Sequence, residues 1–342
     1  MKKGYVPKDQ RKKILMLSDD IRLTSGVGCQ AKEIIVNSSH HFNWVNIGGA
    51  VKHPEAGKAF DLSNEINTMT GLTDSDVKVI PSDGYGNPAM LRSIIAQEKP
   101  DGIVHFTDPR YWIWLYRMEN EIRQQMPMVV YTIWDDLPYP MYNRTYYESD
   151  DMLLGISKQT VNLVKNVLKD KPKEDWQINY VPHGIDPKKF YPIKGGTEEL
   201  ALKGFKEKYL GDEEYDFVML WNSRNIRRKN MSDIVLAWRT FLDQLPVEKA
   251  KKCCLLMKTE ISSEHGTDLN AVVETFCDPE IHKVKFVTDR LDDKGMNYLY
   301  NCSDAHMFMT DNEGWGLGLT ESLTTGRMII APVQGGMQDQ MR

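Results

Sequence analysis

Short apolar runs recur along this chain, and longer amphipathic or polar stretches separate them. In the first half, residues 13–17, 77–80, 102–106, 128–133 and 153–157 read as strands. A further run at 42–47 alternates, with Val45 and Ile47 set against Asn46. Between these runs, residues 30–36, 88–97 and a stretch ending at Leu168 carry helical spacing. The aromatic cluster Tyr111-Trp-Ile-Trp-Leu-Tyr116 is expected to open another helix, more for core packing than for stacking a ligand.

The second half repeats the alternation. Strands are expected at 217–221, 254–257, 284–287, 305–309 and 328–331. Helices are expected at 198–209, 269–276 and 292–300, with one carrying Ile234, Ala237 and Trp238. Strand and helix in strict turn imply mostly parallel sheets covered by helices, hence an α/β architecture. Residues 52–76 break the pattern and read as a polar, irregular insertion. The proline-flanked segment Val181-Pro-His-Gly-Ile-Asp186 followed by Phe190-Tyr-Pro192 reads as a connector, which puts one domain at 1–190 and a second at 191–342.

Composition changes this picture little. A length of 342 residues leaves room for two cores. The net charge of −5 argues against holding nucleic acid by bulk electrostatics. Residues 1–4 open no apolar signal-peptide core, and no apolar run approaches the ~20 residues a membrane span needs. A cytoplasmic protein without an integral membrane segment is therefore expected. The five cysteines follow neither a disulfide ladder nor a zinc spacing, so they are expected as buried, reduced thiols.

Candidate chemistry is concentrated at residues 311–326, DNEGWGLGLTESLTTG. This stretch joins a strand to a short helix that should begin near Gly318 or Leu319 and end at Gly326, a residue type suited to a helix C-terminal cap. Gly314, Gly316 and Gly318 allow close approach of a ligand to the backbone, and the helix start favours an anion. Glu313 and Glu321, with seven residues between them, would repel a phosphate but could accept hydroxyls on either side of one. Ribose, diphosphate and sugar in series have that shape. A plain glycine-rich lead into a helix is the competing reading. Elsewhere, Ser25-Gly-Val-Gly28 between a strand and a helix resembles an incomplete dinucleotide-binding turn, a weak signal. After the 217–221 strand come Arg224, Arg227, Arg228 and Lys229, cations suited to a departing diphosphate or simply a solvated loop.

At these residues a family resemblance emerges. Glu313-Gly-Trp-Gly-Leu-Gly-Leu-Thr-Glu321 resembles the E-x7-E signature of the retaining GT-B glycosyltransferases of family 4 (glycosyl transferases group 1). Arg224 and Lys229, five apart, resemble that family's G-R-x4-K segment, with Ser223 in place of the glycine. The pair Gly335-Gly336 matches the glycines after the family's next strand. The resemblance covers most of the chain and is strongest from Asn222 onward.

It implies two Rossmann-like domains facing across a cleft, and transfer of a sugar from a nucleoside-diphosphate sugar to an acceptor hydroxyl with retention. It gives Glu313 the donor-sugar hydroxyls and Glu321 the ribose. Gly316, Leu317, Leu319 and Thr320 receive the phosphates, and Arg224 and Lys229 stabilise the leaving diphosphate. Gly26 and Gly28 face the donor phosphate from the first domain. Asp135, with Asp136, is a candidate for the sugar or acceptor, although Trp134 stands where members carry His; a solvated turn is the equal alternative. His183 stands where members carry Asn. No Asp-x-Asp pair ends a strand in the second half, so no metal and no cofactor beyond the donor is expected. Members continue for several elements past the equivalent of Arg342, so the second domain is expected to be truncated. The donor's base and sugar, the oligomeric state and the acceptor (glycan, lipid, protein or modified nucleic acid) stay open. A nucleotide-sugar 2-epimerase and a non-catalytic nucleotide-sugar or glycan-binding subunit are the rival readings.

Overall fold

A computed structural model describes residues 3–341. They form two compact units, Met1–Gly184 and Ile185–Arg342. The first contains β1 (Lys12–Asp19), β2 (Phe42–Val51), β3 (Phe60–Asp61), β4 (Val77–Asp83), β5 (Gly102–Phe106), β6 (Met128–Thr132), β7 (Met152–Gly155) and β8 (Ile178–Tyr180). Their spatial order is β3-β4-β2-β1-β5-β6-β7-β8. Every neighbouring pair is parallel except β3 with β4. The second unit holds β9 (Phe217–Asn222), β10 (Cys253–Lys258), β11 (Lys283–Val287), β12 (Ala305–Met307) and β13 (Met328–Ile330), ordered β11-β10-β9-β12-β13 and parallel throughout.

Strands in such sheets are covered on both faces, which is why they read as unbroken apolar runs. In β9, Val218, Met219, Leu220 and Trp221 are all buried. Because successive side chains alternate faces, Met219 and Trp221 join Ile234, Trp238, Leu255 and Met257 in one cluster. Val218 and Leu220 join Leu202, Leu256, Leu299 and Tyr300 in another. Each large side chain buried this way contributes ~1.5–3 kcal/mol.

The strand order reverses direction between β1 and β5 in the first unit, and between β9 and β12 in the second. Loops leaving two adjacent strands part at such a switch point and leave room for a ligand. In the second unit these are the arginine-rich loop after β9 and the glycine-rich loop after β12.

Several elements differ from the sequence-based expectation. The helix expected from residue 30 begins at Gly26, with Ser25 Oγ capping the Gly28 amide at 3.1 Å, so both glycines lie in its first turn. Residues 52–76 are not wholly irregular: they hold β3 and a helix at Ser63–Thr70. The aromatic cluster forms a 3-10 turn, Pro109–Trp112, and one helical turn, Ile113–Tyr116. Trp112, Leu115 and Tyr116 are buried there, whereas Tyr111 is exposed. Among the cysteines, Cys29 is exposed, contrary to expectation, while Cys253, Cys254, Cys277 and Cys302 are buried free thiols.

Candidate functional site

The helix Leu317–Thr324 starts slightly earlier than its glycines suggested. Its N-cap is Gly316, whose φ of 84° puts it in the left-handed region where glycine is favoured. Its other end is a Schellman motif. Gly326, at φ 76°, donates to Leu323 O at 2.9 Å, and Arg327 N donates to Ser322 O at 3.1 Å. The loop before the helix is held by close backbone packing. Gly336 N donates to Glu313 O at 2.9 Å. A Cβ on Gly335 would lie 2.2 Å from Glu313 O, and one on Gly336 would lie 2.0 Å from Gly314 O. The second glycine pair is thus there to let residues 334–337 press against the loop.

The arginine-rich loop after β9 is tied to the same place. Buried Asn225 anchors it by donating to Glu260 O, Ile261 O and Thr267 O at 3.0, 3.3 and 2.8 Å. Arg228 Nη1 donates to Asn312 O at 2.7 Å, Asp311 N to Arg228 O at 2.9 Å, and Asn230 Nδ2 to Asp311 Oδ1 at 2.8 Å. These bonds set Lys229 against Glu313. The ammonium donates to Glu313 Oε1, and the two side chains are only 12% and 14% exposed. Arg228 Nη1 lies 3.8 Å from the same oxygen. Arg224 is exposed, and among the described residues no hydrogen bond or ion pair engages its guanidinium. The result is a cluster of cations around one carboxylate.

Glu321, one turn into the helix, sits in a separate network. Tyr300 Oη donates to Glu321 Oε2 at 2.6 Å and accepts from Asn222 Nδ2 at 3.0 Å. Burial raises the Glu321 carboxyl above its ordinary range; the Tyr300 bond and Lys189 oppose that shift, and Asp293 adds to it. Beside it, a Cβ on Gly318 would fit tightly, 3.3 Å from Tyr300 Oη and 3.4 Å from the Phe308 ring. His306, in β12, is fully buried near the Tyr300 and Phe308 rings, at 5.6 and 4.2 Å, with neither ring nitrogen bonded. Burial lowers its pKa to about 3, which keeps it neutral.

The structure therefore brings Lys229, Glu313, Gly316, Leu317, Leu319, Thr320 and Glu321 together at one switch point, with Arg224 on the adjoining loop. Two details depart from their expected roles. The Thr320 hydroxyl accepts from Trp315 Nε1 at 3.0 Å and donates to Gln340 Oε1 at 2.6 Å, so it is not an open phosphate donor. The Leu319 amide is turned inward to Gly316 O at 3.0 Å, which leaves the Leu317 and Gly318 amides as those without an intrahelical acceptor. Asn222 and Tyr300 were missed as site residues. A tyrosine in an amphipathic helix reads as core, and only the fold shows its hydroxyl beside Glu321.

In the first unit, Gly28 is required where β1 leads into its helix: a Cβ there would meet Asp20 O at 2.9 Å. Ser25 Oγ, on the same turn, donates to Asp19 Oδ2 at 2.6 Å, and burial raises the Asp19 carboxyl. Asp135 follows β6 and is half-buried, with its carbonyl held by Gln159 Nε2 at 2.9 Å. Trp134 lies under the Arg110 guanidinium, 4.9 Å away. His183 pairs with Tyr131 Oη at 2.8 Å, and burial lowers its pKa to about 4, which keeps it neutral. Among the described residues no cluster of side chains could hold a metal ion, and no helix is long and apolar enough to cross a membrane.

Two Rossmann-like units with mostly parallel sheets, each with loops parting at a switch point, define the GT-B fold. No family model and no curated protein matches the chain. Solved structures do. An α,α-trehalose 6-phosphate synthase from Burkholderia multivorans is 10% identical, with a TM-score of 0.65 over 96% of this chain and 85% of that one. An E. coli structure described as trehalose-6-phosphate bound with UDP-2-fluoro glucose is 10% identical, with a TM-score of 0.66 over 96% and 86%. The N-terminal domain of a Candida albicans trehalose-6-phosphate phosphatase is 12% identical, with a TM-score of 0.68 over 98% and 85%. At such identities the likeness concerns the fold, and this chain has the GT-B fold.

Proposed function

We propose that this chain is a glycosyltransferase that moves a sugar from a nucleoside-diphosphate sugar to an acceptor hydroxyl. The observation that carries the reading is the convergence of Lys229, Glu313 and Glu321 on the β9/β12 switch point, with Arg224 exposed on the loop that carries Lys229. Cations there suit a diphosphate, and carboxylates on either side suit hydroxyls. The presence of UDP-2-fluoro glucose in an E. coli protein of the same fold supports a nucleotide-sugar donor.

As the glycosidic bond breaks, negative charge gathers on the leaving diphosphate, and Arg224 and Lys229 are the cations assigned to stabilise it. The helix amides of Leu317 and Gly318 add partial positive charge. Glu321 receives the ribose and Glu313 the sugar, as in family 4. Retention, membership of that family and independence of metal belong to this proposal. They rest on the Glu313–Glu321 spacing and on a cationic pair that can do a metal's electrostatic work.

The test incubates the purified chain with UDP-, GDP- and ADP-hexoses and measures nucleoside diphosphate release, with and without a panel of hydroxyl acceptors. Release from one donor class, accelerated by an acceptor and abolished in Glu321→Ala, is expected. No release from any donor would remove the transferase reading.

A further inference from the structure

In this structure the Lys229 cation assigned to the diphosphate holds an anion of the protein's own. Lys229 Nζ donates to Glu313 Oε1, both side chains are largely shielded from solvent, and Arg228 lies 3.8 Å from the same oxygen. A phosphate oxygen reaching Lys229 must therefore share the ammonium with a carboxylate or displace it. Shielding makes that exchange expensive, because a largely buried carboxylate deprived of its cation needs new hydrogen-bond donors.

Glu313 cannot withdraw by moving its backbone. Its carbonyl accepts from Gly336 N at 2.9 Å, and the Gly335 backbone packs too tightly against it to admit even a Cβ. Only the side chain can turn. Once turned, its oxygens can accept but not donate, so the ligand must bring the donors. A nucleoside-diphosphate sugar carries hydroxyls next to its β-phosphate. A free nucleoside diphosphate carries none there, and it adds its own negative charge.

We propose that Glu313 is a specificity-determining residue that competes with the diphosphate for Lys229, so that the site favours intact donor over the nucleoside diphosphate it releases. The proposal deepens, and rests on, the nucleotide-sugar reading above. With donor bound, Lys229 passes to phosphate and Glu313 to sugar hydroxyls, so each lost contact is replaced. With product bound, Glu313 is left with Arg228 alone, 3.8 Å from its oxygen, and re-forming the closer Lys229–Glu313 pair helps to expel the diphosphate. Arg224, which has no such partner, does not make this distinction.

The test titrates the full chain with UDP and with UDP-2-fluoro glucose, repeated with the GDP and ADP pairs, for wild type and Glu313→Gln. The glutamine keeps the shape and an acceptor for Lys229 but removes the competing charge. Free diphosphate is expected to bind Glu313→Gln about tenfold more tightly, the scale of one charged hydrogen bond, while the 2-fluoro donor gains nothing or weakens. Thermal unfolding checks that the variant is folded. If it is not, Glu313→Asp, which withdraws the carboxylate by one methylene, carries the test with the same sign and a smaller change. Diphosphate affinity unchanged or weakened in the folded variant overturns this proposal and leaves the nucleotide-sugar reading standing. No binding of any of these ligands to wild type overturns both.

Discussion

At the scale of single residues, the proposed site divides its labour between cations assigned to phosphate and carboxylates assigned to hydroxyls. Arg224 is the cleanest case, since it is exposed and nothing else in the described structure depends on its guanidinium. Arg224→Ala should lower turnover by ~10²-fold or more while leaving thermal stability unchanged. Wild-type turnover in that variant would remove Arg224 from the mechanism.

Glu321 offers a pH test. Burial raises its carboxyl above the ordinary range, and in the role proposed for it protonation would remove the charge that accepts ribose hydroxyls. Nucleotide affinity should therefore fall as pH drops through that raised pKa. Tyr300→Phe deletes the bond that holds the pKa down, so the acid limb should move to higher pH. For the ligand-free fold the sign is opposite. A carboxyl raised on folding contributes stability at pH below its unfolded pKa, and that contribution is lost as pH rises through the folded one. An acid limb in nucleotide titrations that Tyr300→Phe leaves in place would dissociate Tyr300 from Glu321.

The charged residues were legible in sequence because Arg224, Lys229, Glu313 and Glu321 sit in short motifs with characteristic spacing. Tyr300 and Asn222 were not, since each is 21 or more residues from its hydrogen-bonding partner and neither belongs to a motif. The Thr320 hydroxyl's bond was not legible for a related reason: its acceptor, Gln340, lies 20 residues on.

At the scale of elements, the site depends on how closely two glycine-bearing loops pack. Gly336→Ala would put a methyl 2.0 Å from Gly314 O, so one backbone must move. It should cost about 1–3 kcal/mol, as overpacking does, and displace Glu313 enough to weaken donor binding. Gly204→Ala is the control. It lies inside the helix Thr197–Leu210 with nothing within 4 Å of its Cβ, and alanine there should be neutral or mildly stabilising. Equal melting temperatures for the two variants would show that the loops are looser than described.

The strands were the most readable elements, because parallel strands buried on both faces appear as unbroken apolar runs. The Leu269–Phe276 helix matched to the residue, with Asp268 accepting from the Asn270 and Ala271 amides. Helix starts in glycine-rich segments were less legible. Glycine has low helix propensity, yet Gly26 and Gly28 sit in a first turn because Ser25 caps it, and at Gly28 the chain passes too close to Asp20 O for a side chain. The helix at Ser63–Thr70 was missed because a single buried residue, Ile66, gives it almost no apolar periodicity.

At the scale of the whole molecule, the chain is two α/β units, each parting its loops at a reversal of strand order. The alternation of strands and helices made this much legible. The partition of the sheets was not, because β3 and β8 are too short to announce themselves. If cations in the second unit carry the diphosphate's charge, transfer should survive excess EDTA nearly unchanged. Abolition by EDTA with rescue by Mg²⁺ or Mn²⁺ would show that a metal, and not Arg224 with Lys229, does that work.

The most direct measurement is a calorimetric titration of the chain, in EDTA, with UDP-2-fluoro glucose and its GDP and ADP counterparts, for wild type, Lys229→Ala and Glu321→Ala. Saturable one-to-one binding of one of them to wild type is predicted, weakened at least tenfold, about 1.4 kcal/mol, in each variant. Failure of all three to bind wild type, or equal affinity in wild type and both variants, would contradict a nucleotide-sugar site at the β9/β12 switch point.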